Sequence, residues 1–598
     1  MMKTALVWIV ALSTCLLAGC STSGRPEANT ISPGSADLLT GQSVGFTTNI
    51  STKEGSLVWS VNGTMNGNAT VGTIDAMGNY TAPAAQPAVP VTVTVMNSVR
   101  TSLVANANVT VVAPGQVTGT AHSLVASYTV SPPVAANVSV QFGTDTTYGL
   151  TTWSQPAPGN GAAFQMLVGG MRANTVYHMR GVLQMPDGNT LNDMDHAFTT
   201  GAIEPGVNPV TNVTNPNGMM PQSGIEMLDV IGPGAVATDL AGNIIWYYRP
   251  PGPSSDSIQP VKLLPNGHMI VTFSPSSELP LNPAGAQPGT IDVIREIDLA
   301  GTVIHELSID TLNQRLAAAG FNFAGAVLHH DVTVLPNGHW IVLTNSLKAF
   351  TDLPGFPGTT NVLGDALVDL DTNLNPVWMW NSFDHLDVNR HPMQFPDWTH
   401  SNAILYSATD GNLLLSIRHQ NWILKIDYAD GKGAGDVIWH LGEGGEFTLE
   451  GGIDPTDWFY AQHGESFTTA TTAGKFGLTI FDNGDDRMFP TGETCATSGS
   501  ATCPYSTAMT LNVDEVAKTA TFAYHDVLSQ YSLFGGNAET LSGGDVEFDL
   551  CNVPGGPPAG RVVEATGTTP AQVVWQMDVN KNLYRAFRLG SLYPGVTW

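Results

Sequence analysis

Three histidines stand at equivalent places in three successive, similarly patterned stretches. His330 precedes Leu335-Pro-Asn-Gly, His400 sits in Asp397-Trp-Thr-His-Ser-Asn402, and His463 opens Gln462-His-Gly-Glu465, in steps of 70 and 63 residues. Arg418 follows His400 across a turn at Thr409-Asp410-Gly411, on the returning strand of an expected hairpin. Side chains alternate faces along a strand, so His400 and Asn402 are expected to point the same way. A hairpin symmetric about Asp410 sets residue 402 opposite residue 418, which puts a guanidinium beside an imidazole and an amide. Three imidazoles, an amide and a guanidinium suit a tetrahedral oxyanion: arginine forks two oxygens, the rings donate further bonds, and one imidazole can attack. Zinc is the rival reading, because three histidines make a familiar ligand set. Arg418 would then stand beside the cation, and no carboxylate accompanies the histidines in phase, since Asp331 and Glu465 are sequence neighbours expected on the opposite face. We therefore expect no metal and no cofactor. His329 competes with His330 for one role, and the period favours His330. His268, His339, His385, His391, His419, His440 and His525 lack this phasing and are read as structural.

These residues need a repeating frame. Leu264-Pro-Asn-Gly-His-Met-Ile-Val recurs as Leu335-Pro-Asn-Gly-His-Trp-Ile-Val and more loosely as Ala408-Thr-Asp-Gly-Asn-Leu-Leu-Leu, with glycines 267, 338 and 411 in steps of 71 and 73. Between the copies lie strand pairs of another kind, such as Val293-Ile-Arg-Glu-Ile-Asp and Ile423-Leu-Lys-Ile-Asp. Each unit thus holds two hairpins, and tandem four-stranded units are propeller blades, which close radially and hide their edges. Residues 204–598 are read as a β-propeller with room for five or six blades; six is the expectation. The first strand of each blade lines the central channel, so His330, His400 and His463 should converge at one mouth, with Gln259 at the equivalent place in the preceding unit. A strand at Ile244-Ile-Trp-Tyr-Tyr is expected to close the ring with the last blade.

Upstream, short alternating runs carry Ser56-Leu-Val-Trp-Ser-Val and Gly78-Asn-Tyr-Thr-Ala-Pro. A lone tryptophan in a short strand with frequent turns predicts an immunoglobulin-like sandwich over residues 31–114. Residues 115–203 are read as a fibronectin type III-like sandwich, with Asn174-Thr-Val-Tyr-His-Met-Arg180 as its tyrosine corner. The fold class is all-β, a six-bladed propeller preceded by two β-sandwich modules. Composition agrees: only 12% of the 598 residues are charged, while 63 glycines and 39 prolines mark a turn-rich chain. One short helix is expected around Thr311 to Ala319. A net charge of −28 excludes a nucleic-acid partner, whose binding rests on Lys and Arg.

Lys3, an apolar run from Ala5 to Leu17 and the ending Leu17-Ala18-Gly19-Cys20 read as a signal peptide over residues 1–20, followed by a tether over 21–30. The ending resembles a lipobox, which implies lipidation of Cys20 and membrane attachment through it; Ser21 then favours an outer-membrane lipoprotein facing the periplasm or the cell surface. In an exported chain Cys495 and Cys503, eight residues apart in a Gly/Ser/Thr loop, are the pair easiest to close as a disulfide, leaving Cys551 a buried free thiol.

His330-Asp331 before Leu-Pro-Asn-Gly, His400-Ser-Asn402, Arg418 and Gln462-His463 together resemble the bacterial arylsulfotransferases that need no nucleotide sulfate donor. The resemblance implies transfer of a sulfuryl group from an aryl sulfate to a phenolic acceptor by ping-pong through a sulfohistidine. His463 is then the nucleophile, and His330, His400, Asn402 and Arg418 hold the sulfuryl oxygens; which histidine protonates the leaving phenolate stays open. A homodimer is compatible with it. Two readings stand beside it: a hydrolase that passes the sulfuryl group to water at the same site, and a non-catalytic surface propeller that binds glycans or proteins. The chain departs from the family in its expected disulfide, which follows the nucleophilic histidine, and in carrying two upstream modules.

Overall fold

The computed structural model describes residues 28–598 except 208, 233, 250–256, 278–279, 282–290, 469–471, 554 and 556–557; the side chains of 257–259 are likewise left aside. The signal peptide, Cys20, most of the tether and the side chain of Gln259 fall outside the described residues. Among the described residues the chain is all-β, with one helix longer than a single turn, Ile309–Ala319, whose first turn is capped by the Ser308 side chain accepting from Thr311 N. No helix among the described residues is long and apolar enough to cross a membrane.

Residues 31–112 form a larger sheet that contains Leu57–Val61, Val91–Asn97 and Val104–Val112, and a smaller one that contains Gly72–Ile74 and Asn79–Thr81. Alternating residues of both, among them Trp59, Val93, Val109, Ile74 and Tyr80, meet in one core. Residues 116–199 repeat the plan around Tyr128, Val138, Val140, Phe142 and Tyr177. The Tyr177 hydroxyl accepts from Arg172 N at 3.0 Å, the corner tie expected there.

From residue 211 on, six sheets follow among the described residues, antiparallel except where Thr448–Glu450 adds in parallel to Thr519–Val527 in the fifth. The second, third and fourth are each four consecutive strands, beginning with Ser257–Leu263, Leu328–Val334 and Ser401–Ser407. The fifth begins with His463–Phe467 and the sixth with Ala538–Thr540. These first strands pack against one another in sequence order, and Leu583–Leu589 lies between the sixth sheet and Ser257–Leu263, so the ring closes. Gly267, Gly338 and Gly411 all adopt positive φ (80°, 83° and 71°), which the tight turns of the recurring motif require and which only glycine takes without strain.

Ring closure differs from the expectation. Ile244–Tyr248 is the outer strand of the first sheet, farthest from Leu583–Leu589. Closure is made by Leu583–Leu589, which pairs with Ile225–Val230, and by Thr211–Thr214, which adds to Val573–Val579 in the sixth sheet. An outer strand of aromatic residues packs under the upstream modules instead: His122 Nε2 meets the Tyr247 carbonyl at 2.8 Å and Ser123 Oγ its hydroxyl at 2.9 Å.

The seam is held by one buried guanidinium. Arg588 pairs with Glu226, with Glu547 at 2.8 Å and with Glu564 at 2.8 Å, and its backbone N–H donates to Glu539 Oε1 at 2.8 Å. Burial pushes the Glu226 and Glu547 carboxyls up against the pull of Arg588, and brings Glu539 to about 7. Removing one partner of such a cluster leaves uncompensated buried charge, so Arg588→Ala is expected to cost about 3–5 kcal/mol in chemical denaturation. Carboxyls whose folded pKa lies above the unfolded one destabilise increasingly as pH rises through the folded value, so the deficit should be larger at about pH 8 than at about pH 5.

Candidate active site

The first strands of the third, fourth and fifth sheets are each interrupted near their histidine. Pairing shifts between Leu328 and Val332, between Ser401 and Ala403, and between His463 and Ser466. His330 (φ 55°) and His400 (φ 50°) take left-handed backbone there, a conformation unusual for histidine and concentrated at functional sites. The bulges aim all three expected histidines inward from the starts of consecutive strands. The ring centroids of His330 and His400 lie 4.8 Å apart, and Tyr584 stands 5.8 Å from His330 and 6.3 Å from His463.

The bulge also overturns the expected hairpin register. Ser401 pairs with Ile417 and Ala403 with Ser416, so Asn402 is the extra residue with no partner across the hairpin, and Arg418 begins a 3-10 turn, Arg418–Gln420, just beyond the strand. Strict alternation does not govern His400 and Asn402, because left-handed backbone precedes the strand. Arg418 nonetheless reaches the cluster. Its Nη1 donates to His419 Nε2 at 2.6 Å, its Nη2 to Asp485 Oδ2 at 2.7 Å and to the Leu533 carbonyl at 3.2 Å, and its buried Nε–H has no hydrogen-bond partner among the described residues.

Two readings made from sequence are corrected here. His419, read as structural, stacks on His400 at 4.6 Å and bonds Arg418. Carboxylates do accompany the histidines: His400 Nδ1 meets Asp397 Oδ2 at 2.5 Å, and His329 Nε2 lies 3.3 Å from Asp365 Oδ1. Asp397 is three residues before His400, a spacing no strand period would flag, since the residues between them turn. Asp331 instead accepts from Ile404 N and lies 2.5 Å from Lys262 Nζ, while Glu465 is fully buried, its pKa pushed up to about 7 by that burial.

His329 and His330 share a 2.8 Å contact between their Nδ1 atoms, so one ring must donate to the other. His463 is oriented differently: its Nδ1 meets Asn483 Oδ1 at 2.6 Å. Its Nε2 accepts a long bond of 3.3 Å from the Gly535 N–H. Asn402 Nδ2 donates to the Gln462 carbonyl at 2.7 Å, and Arg585, from the closing strand, donates to the Asn402 carbonyl at 2.6 Å. No period in the sequence pointed to Arg585 or Asn483.

The electrostatics separate the rings. Burial holds His463 well below the usual imidazole value, Arg418 and Arg585 add to this, and only the Asn483 bond opposes it. Burial does the same to His330, reinforced by His400, His329 and His463, and brings His419 to about 3. Burial works against an ionised Asp397, but His400, His419 and Arg418 more than offset it and hold this carboxyl far below its ordinary value. His400 thus carries an ionised carboxylate on its ring, while His329 faces that of Asp365.

Asp397, His400 and His419 offer ligand atoms within 4.8 Å of one another. This set fits a metal poorly, because Arg418 donates into His419 Nε2 and its charge would adjoin the cation. The expected disulfide is present, Cys495–Cys503 with Cα atoms 5.3 Å apart, and Cys551 is buried and free.

No curated protein matches the chain. Among solved structures, a protein assigned as a 6-phosphogluconolactonase from Bacteroides fragilis aligns over 76% of this chain and 98% of its own at 10% identity, TM-score 0.30. Synechocystis apocarotenoid oxygenase (a Trp149Ala mutant) aligns over 77% and 80% at 9% identity, TM-score 0.26, and an exotype rhamnogalacturonan lyase over 79% and 89% at 10%, TM-score 0.21. Likenesses this distant carry no argument about chemistry. The model of one family, Arylsulfotransferase (ASST), matches residues 215–585, a span that begins just after the strand at Thr211–Thr214 and ends on Arg585. That span holds every histidine of the cluster along with Arg418, Asn402 and Asn483, and the chain belongs to the arylsulfotransferase family, enzymes that transfer the sulfuryl group of aryl sulfates.

Proposed function

We propose that the protein carries a sulfuryl group from an aryl sulfate to a phenol in two steps, through a sulfohistidine at His463. The observation that carries this reading is the contrast between two ring partners. His463 is paired with an uncharged amide and kept unprotonated by burial and two arginines, as a nucleophile must be. His400 Nδ1 instead faces the carboxylate of Asp397, the arrangement that orients a ring acting as general acid. An amide on one ring and a carboxylate on the other suit the two histidines to different roles.

In the first step the His463 lone pair attacks sulfur and the S–O bond to the aryl group breaks. A phenol ionises near a pKa of about 10, so its oxygen departs more readily with a proton from His400. The Arg418 guanidinium, whose buried Nε–H has no partner among the described residues, would hold sulfuryl oxygens together with the Nδ2 amide of Asn402 and His330. In the second step an acceptor phenol takes the place of the first, His400 recovers a proton from it, and the sulfuryl group leaves His463.

We read the ring of six sheets as a six-bladed propeller and the two upstream modules as immunoglobulin-like and fibronectin type III-like sandwiches, on the strength of their strand order. The sequence ending in Cys20 supports export as a lipoprotein. Purified protein given an aryl sulfate with and without a phenol tests the chemistry. Sulfated phenol formed only when acceptor is present is the expected result; phenol-independent release of the donor's aryl group with free sulfate means hydrolysis, and no turnover of either kind means a binding module.

A further inference from the structure

His463 has two ring nitrogens, and something must decide which one attacks. We infer that Asn483 is the positioning residue that selects Nε2 of His463 as the attacking atom, by fixing the proton on Nδ1 against an uncharged acceptor. The inference rests on the reading of His463 as the nucleophile and assigns the residue that prepares it.

The amide of Asn483 can face only one way. Its Nδ2 donates to the Ser532 carbonyl at 2.7 Å and to the Gly535 carbonyl at 3.1 Å, which uses both of its N–H groups on acceptors. Its Oδ1 is thereby turned to His463 Nδ1 at 2.6 Å, and an amide oxygen only accepts, so Nδ1 must carry the proton. Nε2 then holds the lone pair. The backbone beneath is fixed as firmly: the Asn483 carbonyl accepts from Ser506 Oγ at 2.8 Å, and the same oxygen of Ser506 accepts from Ser532 N at 2.9 Å. One residue earlier, Asp482 accepts from Tyr460 N at 2.8 Å and pairs with the buried Arg487. Asn483, fully buried, has no freedom to swing.

The bond serves both half-reactions. When Nε2 forms its bond to sulfur and the aryl oxygen leaves with the S–O electron pair, the ring becomes an N-sulfo imidazolium. Its positive charge rests partly on Nδ1–H, which donates more strongly to Asn483 Oδ1. When the acceptor oxygen attacks sulfur, the N–S electron pair returns to Nε2, and no proton crosses Nδ1 at any stage. A carboxylate in place of this amide would do harm, because it would favour a proton on Nε2 before any substrate arrives. The charged and titratable groups that already face His463 are Arg418, Arg585, His330, His400 and Tyr584, and an amide adds no charge to them.

The test is Asn483→Asp, measured as the pH dependence of the phenol burst from the first half-reaction, alongside mass-spectrometric localisation of the adduct in the unsubstituted protein. A carboxylate raises the pKa of His463, so the acid limb of the profile should move up by about one unit or more, with the rate recovered at higher pH. Asn483→Ala, which adds no charge, should slow the burst about a hundredfold per folded molecule with little change in donor KM, and its acid limb should stay within a few tenths of a unit. An Asn483→Asp profile superposable on that of the unsubstituted enzyme overturns the inference; where that variant fails to fold, an Asn483→Ala burst of unchanged rate per folded molecule does so. A shifted profile in a protein whose adduct maps to a residue other than His463 would leave Asn483 setting the protonation of His463 while removing the nucleophile assignment, so the two failures are distinct.

Discussion

His463→Asn is expected to abolish sulfuryl transfer, lowering kcat by about 10⁴-fold or more, and to eliminate the sulfated form of the protein. Asparagine is the informative replacement. Its amide nitrogen can occupy the place of Nδ1 and still donate to Asn483 Oδ1, so the local bonding survives while the nucleophilic Nε2 disappears. Arg418, His400 and Asn402 remain, and the variant should bind an aryl sulfate without reacting. Intact-mass measurement after brief exposure to donor without acceptor gives the decisive comparison: an adduct about one sulfuryl group heavier in the parent and none in the variant. Full activity in the variant would falsify the assignment.

Asp397→Asn is expected to have the second-largest effect, and one that depends on the donor. The carboxylate accepts from His400 Nδ1 at 2.5 Å and so orients the ring that gives the proton, whereas an amide can turn its N–H side to that ring. With donors whose phenols ionise at high pH, departure requires the proton, and kcat should fall by about 10³-fold. With donors that release an already acidic nitrophenol the proton matters little, and the loss should shrink to about tenfold or less. The quantity to measure is the dependence of rate on leaving-group pKa, which should steepen in the variant. A uniform loss across the series would mean that Asp397 only props the loop and that the acid lies elsewhere.

Much of the site was legible because the scaffold repeats. The Leu-Pro-Asn-Gly turns marked equivalent hairpins, and counting back from them led to His330, His400 and His463 without any knowledge of contacts. What escaped was whatever broke the period. Asp397 precedes the strand through turning backbone, so its three-residue separation from His400 said nothing about a shared face. His419 follows Arg418 in a 3-10 turn that a symmetric hairpin does not anticipate, and the bulge at Asn402 shifted the register by one residue. The all-β class and the short helix followed from composition and alternation. Ring closure did not, because Ile244–Tyr248 and Leu583–Leu589 are both short apolar runs and only three-dimensional pairing separates an inner from an outer strand. Asn483 and Arg585 carry no sequence signal at all; their roles come from what lies across from them.

The strand Leu583–Leu589 has a bearing on when the enzyme becomes active. It brings Arg585 to the Asn402 carbonyl, 183 residues away along the chain, and Arg588 to Glu226, 362 residues away. Contacts this distant in sequence form late, because the intervening chain must be ordered first. Every partly folded form without that strand therefore has an open ring and lacks the buried arginine behind Asn402, however complete its other sheets are. A nascent or refolding molecule is thus expected to gain activity only when its final inner strand docks.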